Sequence, residues 1–135
     1  FTGLRYFDPD IRYRVEAKLQ EETPRRLLLE RSGGDAVDYK RLGTFEFKLP
    51  NGAAKLALFE DPLGNLFLPF RDATSGKETY GAGRYLEPET HDGEHFVLDF
   101  NRAYHPFCAY NEAYSCPMVP FENQLRISVL AGERL

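Results

Sequence analysis

From Ile11 to Leu19 the chain alternates strictly: Ile11, Tyr13, Val15, Ala17 and Leu19 are apolar, while Arg12, Arg14, Glu16 and Lys18 are charged. Successive side chains of an extended strand point to opposite faces, so this run gathers its apolar groups on one face only as a β-strand. The pattern recurs where Phe45, Phe47 and Leu49 alternate with Thr44, Glu46 and Lys48, and again in Ala54, Leu56 and Leu58. Asn51-Gly52 lies between those two runs. Such a dipeptide predicts a hairpin, because both residues tolerate the positive φ of a type I′ turn.

Asp61-Pro62-Leu63-Gly64-Asn65 predicts a second turn, followed by a strand over 66–71. Residues 79–86 and 95–100 read as another hairpin joined by 87–94, and residues 125–130 alternate once more. Residues 25–31 form a less regular strand, since Leu27, Leu28 and Leu29 do not alternate. No stretch has the period of an amphipathic helix. Seven or eight short strands at this spacing predict an all-β fold, an antiparallel small barrel or sandwich. The barrel is favoured, because closure removes exposed edges. One long irregular loop, about 101–124, interrupts the strands, and loops of that length in compact domains are functional or packed on themselves.

A chain of 135 residues reads as a single β domain over 1–135, large enough to bury its own core. Its net charge of −4 and lack of a basic stripe argue against a nucleic-acid partner. Its longest apolar runs, such as Leu66-Phe67-Leu68, are too short to cross a bilayer, so no membrane partner is expected. The cytoplasm is the default compartment. The sequence begins at Phe1 and its single methionine is Met118, so an upstream segment is expected to be missing. Cys108 and Cys116 could be reduced thiols, a short-loop disulfide or two metal ligands.

Two stretches are denser in particular residues than a β domain requires. The first is Arg71-Asp72-Ala73-Thr74-Ser75-Gly76, continuing through Thr79-Tyr80-Gly81-Ala82-Gly83-Arg84-Tyr85. It lacks the lysine and glycine pair of a phosphate-binding loop, so Asp72, Thr74 and Ser75 read as side-chain caps of a turn. Gly81 and Gly83, two apart in a strand, would cut a notch that Phe107, Tyr110, Tyr114 or a ligand fills. Arg84 on the opposite face would need a carboxylate partner if it points inward, with Asp99 and Glu122 as candidates, or would grip an anionic ligand.

The second stretch runs from Asp99-Phe100-Asn101 through Tyr104-His105-Pro106-Phe107-Cys108 to Cys116-Pro117 and Phe121-Glu122-Asn123. His105, Cys108 and Cys116, with Glu122, hold the only metal-ligand chemistry here. The cysteines lack a paired spacing and sit among prolines and aromatics, so no metal site and no cofactor are assigned. Asp99 and Asn101 at one foot of the long loop, with Glu122 and Asn123 at the other, suit one polar unit that pins it, Arg84 neutralising a carboxylate.

The run R-D-A-T-S-G-x-x-T-Y-G-A-G-R-Y, then L-D-F-N-x-A-Y-x-P-x-C and C-P-x-x-P-x-E-N-x-L, resembles the signature of a prokaryotic family. It is the domain-of-unknown-function family numbered sixteen eighty-four. Gly3-Leu4-x-Tyr6-Phe7 and Tyr13-Arg14-Val15-Glu16-Ala17 also match it, so the resemblance covers nearly the whole chain. It implies an extra segment upstream of Gly3 in many members, and it implies no activity.

Three functions compete. The first is a small-molecule binding β domain, its ligand anionic if Arg84 holds it. Its candidate residues are Gly81, Gly83 and Arg84, with Asp99, Asn101, Tyr104, His105, Glu122 and Asn123. The second is a hydrolase using His105, Asp99 or Glu122 as acid or base, with or without metal assistance. The third is a structural or partner-binding domain without a ligand. An open pocket with converging charges separates the first from the third.

Overall fold

The computed structural model describes residues 3–135; Phe1 and Thr2 lie outside the described residues. In chain order the strands are β1 (Arg5–Tyr6), β2 (Arg14–Lys18), β3 (Gln20–Glu30), β4 (Ala36–Leu49), β5 (Gly52–Glu60) and β6 (Leu66–Phe70). They continue with β7 (Arg84–Leu86), β8 (Glu89–Thr90), β9 (His95–Asp99) and β10 (Glu133–Arg134). All pairings between these strands are antiparallel. The main sheet has the order β3-β4-β5-β6-β7, a second has β2-β9-β8, and β1 pairs with β10.

The all-β class stands, and the arrangement is sandwich-like. A closed barrel does not form, because β3 and β7 end the main sheet as separate edges. Isolated bridges to the long loop lie beside both edges: Arg31, just past β3, bridges to Pro117, and Tyr85 of β7 to Tyr104. Among the described residues no helix is long and apolar enough to cross a membrane.

Several local expectations shift. Ile11 to Tyr13 form a 3₁₀ turn capped by Asp10, whose carboxylate accepts from the Arg12 N–H at 3.0 Å. Ile11 is therefore exposed, and the buried face begins at Tyr13. The β4–β5 hairpin turns at Pro50-Asn51, since Leu49 pairs with Gly52. No non-glycine residue among those described has positive φ, so this is not the mirror-image turn that Asn-Gly suggests. Residues 79–83 form no strand, Thr79 making a single bridge to Ser75 before a turn; β7 pairs with β6, and β9 pairs with β2 and β8, so the expected hairpin of 79–86 with 95–100 does not exist. Residues 125–130 are irregular despite their alternation.

The main sheet carries two apolar clusters, one per face. Phe45, Leu56, Leu58, Leu68 and Phe70 face a core completed by Phe96 and Leu98 of the second sheet and by Val129. Phe45 meets Phe96 edge-on at 5.0 Å between ring centroids. The opposite face carries Leu29, Tyr39, Ala57 and Phe59, with Phe67 packed at its margin. Tyr39 and Phe45 are both odd-numbered residues of β4, yet they face opposite ways. The cause is a register shift between Arg41 and Gly43, where one extra residue inverts the alternation. Gly43 has φ 154°, and a Cβ there would lie 2.3 Å from the Gln20 carbonyl oxygen, so the bulge demands glycine.

Candidate functional site

The second face of the main sheet is not covered by another sheet. It is covered by the long loop, which is fastened at several points along its length. Tyr104 exchanges two backbone hydrogen bonds with Tyr85, at 2.8 and 3.0 Å. Further on, the Tyr85 hydroxyl donates to the Pro117 carbonyl, and the Met118 N–H donates to Glu30 at 2.8 Å. Between those points the loop stands away from the sheet and leaves a cleft of about 820 Å³.

Tyr39, Phe67 and Tyr85 form its sheet side, while Tyr104, Phe107 and Tyr114 form its loop side. Phe67 meets Tyr85 edge-on at 4.7 Å, and Tyr85 meets Tyr104 at 5.9 Å with the rings at 89°. Phe107 and Tyr114 contact each other at 5.4 Å, yet are 67% and 53% exposed. Asp61 and Glu87 also line the cleft, and among the described residues its lining includes no lysine, arginine or histidine. The Tyr104 hydroxyl donates to Glu87 Oε1 at 3.0 Å. Burial, reinforced by that carboxylate, pushes the Tyr104 phenol pKa well up, so it remains a neutral donor.

The nine residues singled out from the sequence do not gather here; among them, Tyr104 lines this cleft. Arg84 is wholly buried. Its guanidinium lies 3.5 Å from Asp72 Oδ2, donates to the carbonyls of Val129 at 2.9 Å and Glu133 at 3.2 Å, and also donates to that of Ala131. Its partner is therefore Asp72, not Asp99 or Glu122; its Nε makes no hydrogen bond, but the side chain has no exposed surface through which a ligand could reach it. Asp72 also accepts from Thr74 and from the Val129 N–H at 2.6 Å, so the expected turn cap doubles as the counter-ion. Gly83 sits just before β7 with φ 108°, where a Cβ would meet the Phe70 carbonyl oxygen at 2.6 Å and a Val119 methyl at 2.8 Å. The notch is filled by backbone and Val119, not by a loop aromatic. Gly81 lies in the preceding turn, against Gly76.

The four polar residues at the feet of the loop act in separate places. Asp99 accepts from Asn101, whose side chain exchanges hydrogen bonds with the backbone of Asp10 at 2.9 and 3.0 Å. Asn123 is fully buried, accepts from the Ala57 N–H at 2.9 Å, and donates to the carbonyls of Ala57 at 3.0 Å and Pro69 at 2.8 Å. Pairing between β5 and β6 covers only Phe59–Phe67 and Glu60–Leu66, so this amide fills the place of a ladder partner where the strands diverge. Glu122 forms a two-pronged pair with Arg41 at 2.9 and 3.0 Å on the surface.

His105 is buried under a small hollow of about 260 Å³. The Tyr80 N–H donates to its Nε2 at 3.3 Å, which leaves the ring proton on Nδ1. Glu133 Oε2 lies 3.1 Å from that Nδ1, out of line for a hydrogen bond, while Glu133 Oε1 accepts from the His105 N–H at 3.0 Å. Burial, and then the charge of Arg84, pull the His105 pKa down to about 4; burial pushes that of Glu133 up. The acid–base candidates His105, Asp99 and Glu122 thus have three different sets of partners and do not converge. Cys108 and Cys116 are free, the Cys108 N–H donating to Cys116 Sγ at 3.2 Å. Among the described residues no group of three or more His, Cys, Asp or Glu is placed to hold a metal.

The sequence reading missed Tyr39, Phe67, Tyr85 and Glu87 as cleft residues and Glu133 as the neighbour of His105. The available signal was the number of tyrosines and phenylalanines, 19 of 135 residues (8 and 11), more than the alternating core runs use.

No curated protein matches the chain. Among solved structures, it is similar to an uncharacterized protein of Haloarcula marismortui determined by solution NMR, with 45% sequence identity and a TM-score of 0.76. That likeness covers 100% of this chain and 77% of the other. The family described as "Protein of unknown function (DUF1684)" matches residues 1–134, and the chain belongs to it.

Proposed function

We propose that this domain binds a small molecule in the cleft between the main sheet and the long loop. One observation carries the reading: aromatic rings from both walls enclose about 820 Å³, and two of them, Phe107 and Tyr114, remain largely exposed. Cavities of that size suit a drug-sized ligand, and large exposed rings at their mouth lose water only when something occupies them. Arg84 is spent inside the protein, so an anion gripped by it is no longer the favoured ligand.

Thermal-shift and NMR screening of a broad metabolite set tests the proposal. A binder should raise the melting temperature and move the amides of Phe67, Ser115 and Cys116. Binding should weaken in Phe107→Ala, whose exposed ring contributes little to the fold. Hits that move only amides outside the cleft would refute it.

A further inference from the structure

The charges and ring faces of the cleft narrow its ligand class. Resting on the small-molecule reading, we infer that the cleft receives a cationic ammonium head group.

The lining places two carboxylates, Asp61 and Glu87, beside aromatic rings, with no positive side chain among them. Asp61 spends its oxygens on the turn, Oδ1 accepting from the N–H groups of Leu63 and Asn65 at 2.9 and 2.8 Å and Oδ2 from the Asn65 amide at 3.2 Å, but its charge remains. Glu87 is exposed and takes one hydrogen bond, from Tyr104, on Oε1. The nearby arginines are engaged elsewhere: Arg31 with Asp35, and Arg102 with Glu89 at 3.2 Å.

Tyr85 and Tyr104 stand at 89° to each other, so they form a corner rather than a stack. The face of an aromatic ring is its electron-rich surface, and a corner of rings beside a carboxylate attracts a diffuse, weakly hydrated cation. An anion entering the same space would meet two negative charges and no donor side chain of positive charge. The hydroxyl of Tyr104 points its proton at Glu87, which leaves the phenolic oxygen lone pairs available as acceptors.

The probes are choline, its uncharged isostere 3,3-dimethylbutan-1-ol, and maltose as a neutral molecule that stacks on rings. Each is titrated into the ¹⁵N-labelled protein, following the amides of Phe67, Ser115 and Cys116. Choline should move those amides and bind about tenfold more tightly than the isostere, the range expected of a cation held by ring faces. Glu87→Gln and Phe107→Leu should each weaken choline several-fold without changing the affinity for the isostere. Both side chains are exposed, so the variants fold as the parent does. Equal affinity for choline and the isostere, or tighter binding of maltose, overturns the cationic class and leaves the small-molecule reading intact. Hits from the metabolite screen that are neutral or anionic and move the cleft amides, while choline does not, overturn it in the same way. If neither the three probes nor the screen moves those amides, both readings fall together.

Discussion

The two faces of the main sheet are built from similar residues and have different fates. On one face Phe45, Leu56, Leu58 and Leu68 have no exposed surface, because a second sheet lies flat against them. On the other, Tyr39 and Phe59 are buried but Phe67 is only half-buried, because an irregular loop spans that face on a few fasteners. A regular sheet matches the pleat beneath it and excludes water along its whole length. A loop touches where its own hydrogen bonds allow, and the remainder becomes a cleft. Close packing therefore concentrates in the sealed face, and open space collects in the face under the loop.

The largest test of that division is Phe45→Ala. It should reduce stability by about 3–5 kcal/mol in urea denaturation, the usual loss for a fully buried phenylalanine. Phe67→Ala on the other face should lose clearly less; equal losses would erase the contrast. Next comes Asn123→Ala, which strands the Ala57 N–H and the carbonyls of Ala57 and Pro69 in a dry setting. A loss of about 2–4 kcal/mol is expected, and a midpoint equal to the parent's would show that water replaces the amide.

The third test concerns pH. In the unfolded chain the His105 imidazole takes a proton near its ordinary value of 6.5, whereas in the fold it does so only at about 4. Its contribution is therefore complete above pH 6.5 and is lost as pH falls to about 4. Glu133 runs the other way: its raised carboxyl favours the fold at low pH and loses that effect as pH rises. Comparison with His105→Gln isolates the histidine. The parent should lose up to about 3 kcal/mol relative to the variant between pH 6.5 and 4, and a constant gap contradicts the buried neutral ring. The smallest effect belongs to Glu122→Ala. Its pair with Arg41 is on the surface, so a loss below about 1 kcal/mol is expected, well short of Asn123→Ala next door.

The sealed face was legible in the sequence, because alternation over 44–49 and 54–58 depends only on neighbours along the chain. The face under the loop was not. Its rings come from β4, β6, β7 and the loop, and one of them, Tyr39, faces it only because the Gly43 bulge inverts the alternation. Arg84 was legible as a buried charge in need of a carboxylate, but Asp72 was hidden behind its own turn motif. Glu133 lies 28 residues from His105 and adjoins it through its own N–H, which donates to the Ala103 carbonyl two residues before the histidine. Residues 125–130 misled in the opposite sense. They alternate, but Leu125 and Ile127 bond single backbone groups of Arg71 and Ala73, while Val129 bonds the guanidinium of Arg84 and the carboxylate of Asp72, side-chain groups that no strand pattern encodes.

The amide of Asn123 stands in for a missing strand at Ala57, and this makes one backbone proton informative. The Ala57 N–H can exchange with deuterated solvent only when Asn123 withdraws, and Asn123 withdraws only when the foot of the loop lifts from the sheet. The N–H of Leu58, one residue on, belongs to the β4–β5 ladder and answers to opening of the hairpin itself. The ratio of the two exchange rates thus measures how often the loop undocks while the sheet stays intact.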